Sequence, residues 1–333
     1  MYSVGKIMKS NKQRLAVGID FGGTGVKMGL VEETGVIRDR YEFSTAAAGT
    51  RPAWMEQVQA GLDRFCRRGR RLSGIGVGVP GFTDFKRGFI YNLTNVPGWN
   101  SVYLARMLQK RFDLPAFVDN DVNAMAIGEC AYGAGRGHRQ AVFATLGTGV
   151  GGGVVIDGKL YRGAYSMAGE IGHISIRMNG HKTRQGRGGM ETYVGNHQIT
   201  AYAVRALRTG RRSLIRTLVN NHLEKITPKI IAQAATRKDP LALEIFDFVA
   251  DCIATAFASI TYILQPEVII VGGGVARSGR VLFDPLRRHL RERLSPYFAE
   301  RIKVIPAKLG NRAGIIGCAA LVFQALEKKD SHG

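Results

Sequence analysis

Asp119-Asn120-Asp121-Val122-Asn123 crowds four hydrogen-bonding side chains into five positions, between an apolar strand-like run and a helical run beginning at Ala124. A carboxylate held in such a turn can take the proton of an acceptor hydroxyl, the one proton transfer that phosphoryl transfer requires. The plainer alternative is a polar helix N-cap, which accounts for one Asp or Asn but not for the rest. A second polar island is Ala168-Gly169-Glu170-Ile171-Gly172-His173. Glu170 and His173 could grip vicinal hydroxyls or could be a hydrogen-bonded core pair, and the spacing leaves both open. Glu191 follows a basic, glycine-rich loop from Asn179 to Gly189, and Asn95 adds an amide in the segment Leu93 to Trp99.

Chemistry of that kind needs a phosphate donor, and three glycine-rich turns after short apolar strands offer a place for one. They are Asp20-Phe21-Gly22-Gly23-Thr24, Leu146 to Gly153, and Val271-Gly272-Gly273-Gly274. Glycine after a strand lets backbone N–H groups approach an anion without a Cβ in the way. No GxxxxGK[ST] P-loop occurs, and no strand–GxGxxG–helix unit with an acidic partner about 20 residues on. The first turn is instead bracketed by strand-like runs, Leu15–Asp20 and Val26–Val31. That pattern predicts a β-hairpin reaching over phosphates, as in actin-like and sugar-kinase ATPases.

The surrounding pattern supplies the frame. Residues 15–45 alternate as a β-meander, and Met55, Val58, Leu62, Phe65 and Cys66 follow helical spacing. Gly74–Val79 reads as a buried strand, Leu104, Met107, Leu108 and Phe112 as a helix, and Ala116–Asp119 as the strand before the polar turn. Gln140–Leu146 and Gly153–Ile156 open a second strand–turn–strand unit, an echo that suggests a duplicated fold. Thr227-Pro228 and Asp239-Pro240 are helix starts. The helix from Pro240 toward Leu264 carries Ile245, Phe246, Val249, Ile253, Phe257, Ile260 and Ile263, and reads as buried. It leads to a strand at Val268–Val271, and an alanine- and leucine-rich helix, Gly314–Leu326, could return to the first lobe.

The 333 residues are enough for two domains, and 45% are hydrophobic. No apolar run approaches the ~18 residues of a membrane span, and no signal core follows Met1 to Arg14, so the expectation is a cytoplasmic protein without a membrane partner. Four scattered cysteines without a CxxC read as reduced, mostly buried residues. Lys and Arg total 47 against 26 Asp and Glu, a net charge of +21. Such a field attracts nucleic acid or polyphosphate, but no basic cluster interleaves aromatic residues as single-strand binders do. A solvated basic surface with no specific nucleic-acid partner is the preferred reading.

Together these residues resemble the ROK family of repressors and sugar kinases, most nearly its glucokinase branch. The resemblance rests on Gly18–Thr24, Gly78-Val79-Pro80-Gly81, Asp119–Ala124, Gly147–Gly153, Ala168–His173, Val271–Val275 and Ala313–Gly317, and spans roughly residues 15–326. It implies an α/β, two-lobed actin-like sugar-kinase fold of duplicated mixed sheets with flanking helices and an active site in the inter-lobe cleft. The lobes would be 1–123 with about 311–333, and 124–310. Asp121 would be the general base toward the 6-hydroxyl of a hexose. Gly81, Asn95, Asn120, Glu170, His173 and Glu191 would bind the sugar. Gly22, Gly23, Thr24, Lys27, Thr148 and Gly149 would serve the phosphates of ATP, Gly272, Gly273 and Gly274 its adenosine, and Asp20 would position Mg²⁺ through water. A homodimer is the family expectation.

One departure stands out. The family's CxCGxxGC zinc motif is replaced here by Lys182, Arg184 and Gly189 at cysteine positions. A tetrahedral zinc site needs about four N or S ligands, so no structural zinc is expected, and the loop must be held by packing or hydrogen bonds. ATP-dependent glucose phosphorylation is the leading reading. Alternatives are a polyphosphate-using gluco- or mannokinase, an N-acetylhexosamine or fructose kinase, and a sugar-responsive repressor. About 14 residues precede the first strand, too few for a helix-turn-helix, which counts against the repressor.

Overall fold

The computed structural model describes residues 14–67, 70–93 and 96–330. The chain divides into two compact units, Met1–Asp121 with Gly314–Gly333, and Val122–Ala313.

In the first unit, strands β1 (Leu15–Phe21), β2 (Gly25–Glu32) and β3 (Ile37–Ser44) form the expected meander. Helix α1 (Arg51–Phe65) follows, capped by Thr50, whose side chain accepts the Ala53 N–H. Next come β4 (Ile75–Val79), a hairpin of β5 (Gly81–Asp84) and β6 (Phe89–Leu93), helix α2 (Leu104–Phe112) and β7 (Ala116–Asn120). The main sheet is five-stranded in the order β3-β2-β1-β4-β7. β1 is antiparallel to β2 and parallel to β4, and β4 is parallel to β7. Trp54, Val58, Leu62 and Phe65 of α1 pack with Leu104 and Leu108 of α2 into one core cluster.

The C-terminal helix, Ala313–Asp330, lies directly on this sheet. A Cβ on Gly18 would sit 1.9 Å from the Ile315 carbonyl oxygen, and one on Gly76 would sit 1.8 Å from that of Cys318. These strand glycines bring helix backbone against sheet backbone, a contact that no side chain would permit. Gly76→Ala is expected to destabilise this unit by about 1–3 kcal/mol, because rigid backbone must move on both sides. Urea unfolding of Gly76→Ala beside Gly23→Ala is the check, since nothing lies within 4 Å of a Cβ at Gly23. Equal midpoints for the two variants would refute the packing role.

Helix α3 (Asp121–Tyr132) carries the chain from one unit to the other and starts three positions before the expected Ala124. A carboxylate in the first turn suits the positive end of the helix dipole, which explains the earlier start. The second unit holds β8 (Ala141–Leu146), β9 (Val150–Ile156), β10 (Lys159–Tyr161) and a small hairpin of β11 (Lys182–Thr183) and β12 (Gly186–Arg187). Helices α4 (Glu191–Val194), α5 (Asn196–Arg208), α6 (Pro228–Thr236) and α7 (Pro240–Leu264) precede β13 (Val268–Gly272), α8 (Arg280–Arg293) and β14 (Lys303–Pro306). The sheet order is β10-β9-β8-β13-β14. Its β8–β9 pair is antiparallel and its β8–β13 and β13–β14 pairs are parallel. The echo in the sequence is this repeat: two antiparallel pairings followed by two parallel ones in each sheet.

Asp239 caps α7, accepting the Ala242 N–H at 2.9 Å, and also holds Ser213 and Leu214. The α7 side chains are buried from Leu241 to Thr261 on the core side, but Ile263 is 79% exposed and is not part of the core. Cys252 and Cys318 are buried, Cys130 is half-buried and Cys66 is exposed, all as free thiols. Burial pushes the Cys252 thiol up to about 12 and Cys130 up to about 11, which keeps both protonated and unreactive. Among the described residues, no helix is long and apolar enough to cross a membrane.

Candidate active site

In the first unit the candidate residues gather at the ends of β1, β4 and β7. The β1–β2 turn closes when the Gly22 N–H donates to the Gly25 carbonyl at 3.0 Å. Thr45 Oγ1 donates to the Gly22 carbonyl at 2.7 Å, and the Thr45 N–H donates to that of Thr24. Gly22 is therefore spent on holding the turn, while Gly23 and Thr24 form its exposed tip. Asp20 is the penultimate residue of β1, opposite Lys27 of β2 and beside Gly78 of β4. A Cβ on Gly314 would lie 2.5 Å from an Asp20 carboxylate oxygen, so only glycine fits at the start of the C-terminal helix.

Burial pushes the Asp20 carboxyl above its ordinary value, with Lys27 opposing. A carboxyl raised on folding keeps its proton longer in the folded chain. Folded stability then falls as pH rises from the ordinary carboxylate value through the raised one. Asp20→Asn removes that loss and is expected to melt at or above the wild-type temperature at neutral pH. The gap should close in acid, where the wild-type carboxyl is protonated. Thermal melts across pH check the sign, and a variant less stable at neutral pH but equal in acid would reverse it.

The polar turn after β7 sorts itself by burial. Asp119 and Asn123 are 1% and 4% exposed, whereas Asn120 and Asp121 remain half-buried. Asp119 accepts the Asn120 N–H at 2.8 Å, and the Asn120 amide donates to the Gly81 carbonyl at 3.2 Å. Gly81 needs its own glycine, with φ of +123° and the Asn92 carbonyl 2.4 Å from any Cβ. Asn120 and Gly81 are thus brought together beside Asp121, and Asn95 lies outside the described residues.

In the second unit the β8–β9 turn is Gly147-Thr148-Gly149, closed by the Gly147 N–H on the Gly149 carbonyl at 2.9 Å. Gly151 and Gly152 were expected in this turn, with a strand from Gly153, but the strand β9 already begins at Val150 and holds all three glycines. They are packing glycines instead. Cβ atoms there would meet Val122 at 2.6 Å, the Gly169 carbonyl at 2.5 Å and Ala126 at 2.7 Å. The first and last contacts seat α3 on β9, and the middle one seats the loop carrying Glu170. The third glycine turn adjoins the second: Gly273, at φ of +88°, approaches within 2.2 Å of the Leu146 carbonyl at its Cβ position.

Glu191, the first residue of α4, accepts the Val150 N–H through Oε2 at 2.7 Å, and the same oxygen covers the Cβ position of Gly149 at 2.5 Å. The expected sugar ligand is therefore also a brace for the Gly147–Gly149 turn. The Asn196 N–H adds a second brace, donating to the Gly147 carbonyl at 2.8 Å. Glu170 and His173 form a partly exposed pair, with Oε2 and Nε2 3.6 Å apart. Burial raises the Glu170 carboxyl, His173 lowers it and Glu191 raises it, so both carboxylates belong to one electrostatic group.

The loop that replaces the zinc motif is held by its own backbone. The Gly188 N–H donates to the His181 carbonyl at 2.9 Å, the Ile176 N–H to that of Gly188 at 2.9 Å, and the Met190 N–H to that of Ile174 at 3.0 Å. Arg187 reaches the Gly180 carbonyl at 3.1 Å. Between Asn179 and Gly189 the one side chain of an ordinary zinc-ligand type is His181, where a tetrahedral site needs about four ligands.

One buried carboxylate was not anticipated. Glu129 of α3 is fully buried and accepts N–H groups from Ala134, Lys308 and Leu309 at 2.8, 3.1 and 2.7 Å. A lone Glu in the apolar run Ala124–Tyr132 was the available signal.

Duplicated mixed sheets with glycine turns at their strand ends define an actin-like ATPase type of fold. A model of the ROK family matches residues 16–325, and the chain belongs to that family. It is 36% identical to the glucokinase of Halalkalibacterium halodurans over 317 residues, 93% of this chain and 96% of that one. It is 34% identical to the glucokinase of Thermotoga maritima over 311 residues, 93% and 98% of the two chains. The ROK-family glucokinase of Streptomyces griseus, solved with glucose and AMPPNP, matches with a TM-score of 0.79 at 32% identity, covering 93% of this chain and 99% of that one.

Proposed function

We propose that this chain is an ATP-dependent sugar kinase that converts glucose to glucose 6-phosphate. The observation that carries the reading is the β7–α3 turn of a ROK chain. It buries Asp119 and Asn123 but leaves Asn120 and Asp121 accessible, beside an amide-held Gly81. Similarity to glucokinases along nearly the whole chain supports glucose and ATP as the substrates.

Asp121 takes the proton of the 6-hydroxyl as that oxygen attacks the γ-phosphorus. The bond from the γ-phosphorus to the β–γ bridging oxygen breaks, leaving hexose 6-phosphate and ADP. Gly81, Asn120, Glu170, His173 and Glu191 hold the sugar hydroxyls. N–H groups at Gly23, Thr24, Thr148 and Gly149 hold the phosphates, and the Gly272–Gly274 turn takes the adenosine. Positioning of this kind supplies much of the rate, because little covalent chemistry is asked of the protein. Mg²⁺ accompanying ATP needs oxygen ligands, and the Asp20 carboxylate beside the β1–β2 turn suits it through water. The ion would neutralise charge on the phosphates.

Glucose phosphorylation assayed with ATP and with polyphosphate side by side tests the donor, and a panel of glucose, mannose, fructose and N-acetylated hexosamines tests the acceptor. ATP with glucose should give the highest kcat/KM. The net charge of +21 favours polyphosphate as the second reading, and faster turnover with it would replace ATP. No turnover with any pair would overturn the reading. A cytoplasmic homodimer completes the proposal, with sedimentation measuring the assembly.

A further inference from the structure

A cavity of about 520 Å³ opens in the second unit behind α4, where the hairpin β11–β12 meets α5 and α7. Arg177, His181, His197 and Arg205 line it, with Tyr193 and Phe248 among its rings, and no carboxylate is among its lining residues. The Arg177 guanidinium lies 5.3 Å from the Tyr193 ring centre and 5.8 Å from that of Phe248. Arg205 stacks on Tyr202 at 5.9 Å, and the His181 ring sits 5.8 Å from Tyr193. Cation–π contact holds each guanidinium beside a ring and leaves N–H groups to bond elsewhere. Among the described residues, neither Arg177 nor Arg205 has a carboxylate partner. Glu244 of α7, which accepts from the lining residue Tyr202 at 3.1 Å, is also occupied by Arg211 at 2.8 Å.

Like charges gathered in a concave site without a counter-ion call for an anion, and planar donor forks match phosphate oxygens. We infer that this cavity binds a small phosphate-bearing ligand, and that its occupancy acts on the phosphate turn. The route is short. Thr192 and Tyr193 line the cavity and immediately follow Glu191, which braces Val150, while His197 and Gln198 follow Asn196, which braces Gly147. A ligand that orders α4 and the start of α5 therefore orders both braces of the Gly147–Gly149 turn. Binding in the cavity is independent of which sugar or donor the enzyme uses, whereas its action on the Gly147–Gly149 turn rests on the proposed reading of that turn as a site for ATP phosphates.

Calorimetric titration with inorganic phosphate, glucose 6-phosphate and AMP tests it, at physiological ionic strength and with glucose and a non-hydrolysable ATP analogue present to fill the catalytic residues. Binding of the analogue alone is measured first, so a failure of the kinase reading shows there and not here. At least one probe should bind saturably, and Arg177→Gln/Arg205→Gln should weaken it by about tenfold or more. The tightest probe identifies the source: phosphate alone, a sugar ester or a nucleotide. Arg205→Gln by itself, at an exposed position, should weaken binding in the same direction and guards against misfolding of the double variant. The bound probe should also change KM for ATP in the wild type and not in the double variant. No saturable binding, equal binding by wild type and double variant, or an unchanged KM would each overturn the inference.

Discussion

Asp121→Asn is expected to fold, to bind glucose with nearly wild-type affinity, and to lose turnover by roughly 10²–10⁴-fold, the range a positioned general base contributes. The isosteric amide keeps the first turn of α3 and the neighbouring hydrogen bond between Asn120 and Gly81. What it cannot do is accept the hydroxyl proton. KM for glucose should therefore stay close to its original value while kcat falls, the pattern of an interaction made only in the transition state. Asn120→Ala should separate from it by raising KM, because that side chain is the proposed sugar ligand and holds the Gly81 backbone. Turnover by Asp121→Asn within a few-fold of wild type would remove Asp121 from the base role.

Glu129→Ala is expected to cost about 3–5 kcal/mol of stability, far more than most single substitutions. Its carboxylate is fully buried and is the acceptor for three backbone N–H groups, two of them in the loop that follows β14. Each orphaned donor carries about 1–3 kcal/mol of desolvation cost, reduced where water can follow into the gap. Glu129→Gln keeps the volume and one acceptor oxygen but turns an amide donor toward an N–H, so it should lose roughly 1–3 kcal/mol. Denaturant midpoints at constant m-value give both numbers. An Ala variant within about 1 kcal/mol of wild type would show that the loop finds other acceptors. The same loop leads into Gly310–Arg312, where Arg277 bonds Asn311, so the Gly272–Gly274 turn should loosen with it.

Local features were legible in the sequence. The β1–β2 hairpin, the turn after β7, the capped starts at Pro228 and Pro240 and the repeat of strand–turn–strand are all written within a few residues of where they act. The glycine run after Leu146 was misread in part. A missing Cβ serves an anion and a close backbone contact equally, and only the neighbours of Gly151 to Gly153 show that those three serve packing. Glu191 stood out in the sequence as a candidate sugar ligand, but its bond to Val150, 41 positions away, was not legible there.

From the sequence by itself came the family, the two-part repeat and the proposal of Asp121 as the base, because each rests on residue types at short spacing. Tertiary structure decided which polar residues of the Asp119–Asn123 turn stay accessible, that Gly22 holds its turn closed, and that the segment around Lys182–Arg187 folds as a hairpin held by its own backbone. It also decided why Gly18 and Gly76 must lack a side chain and why a glutamate can sit fully buried in α3. These depend on backbone groups brought together from distant parts of the chain, up to 180 positions apart for Glu129 and Leu309, and sequence spacing carries no record of such neighbours.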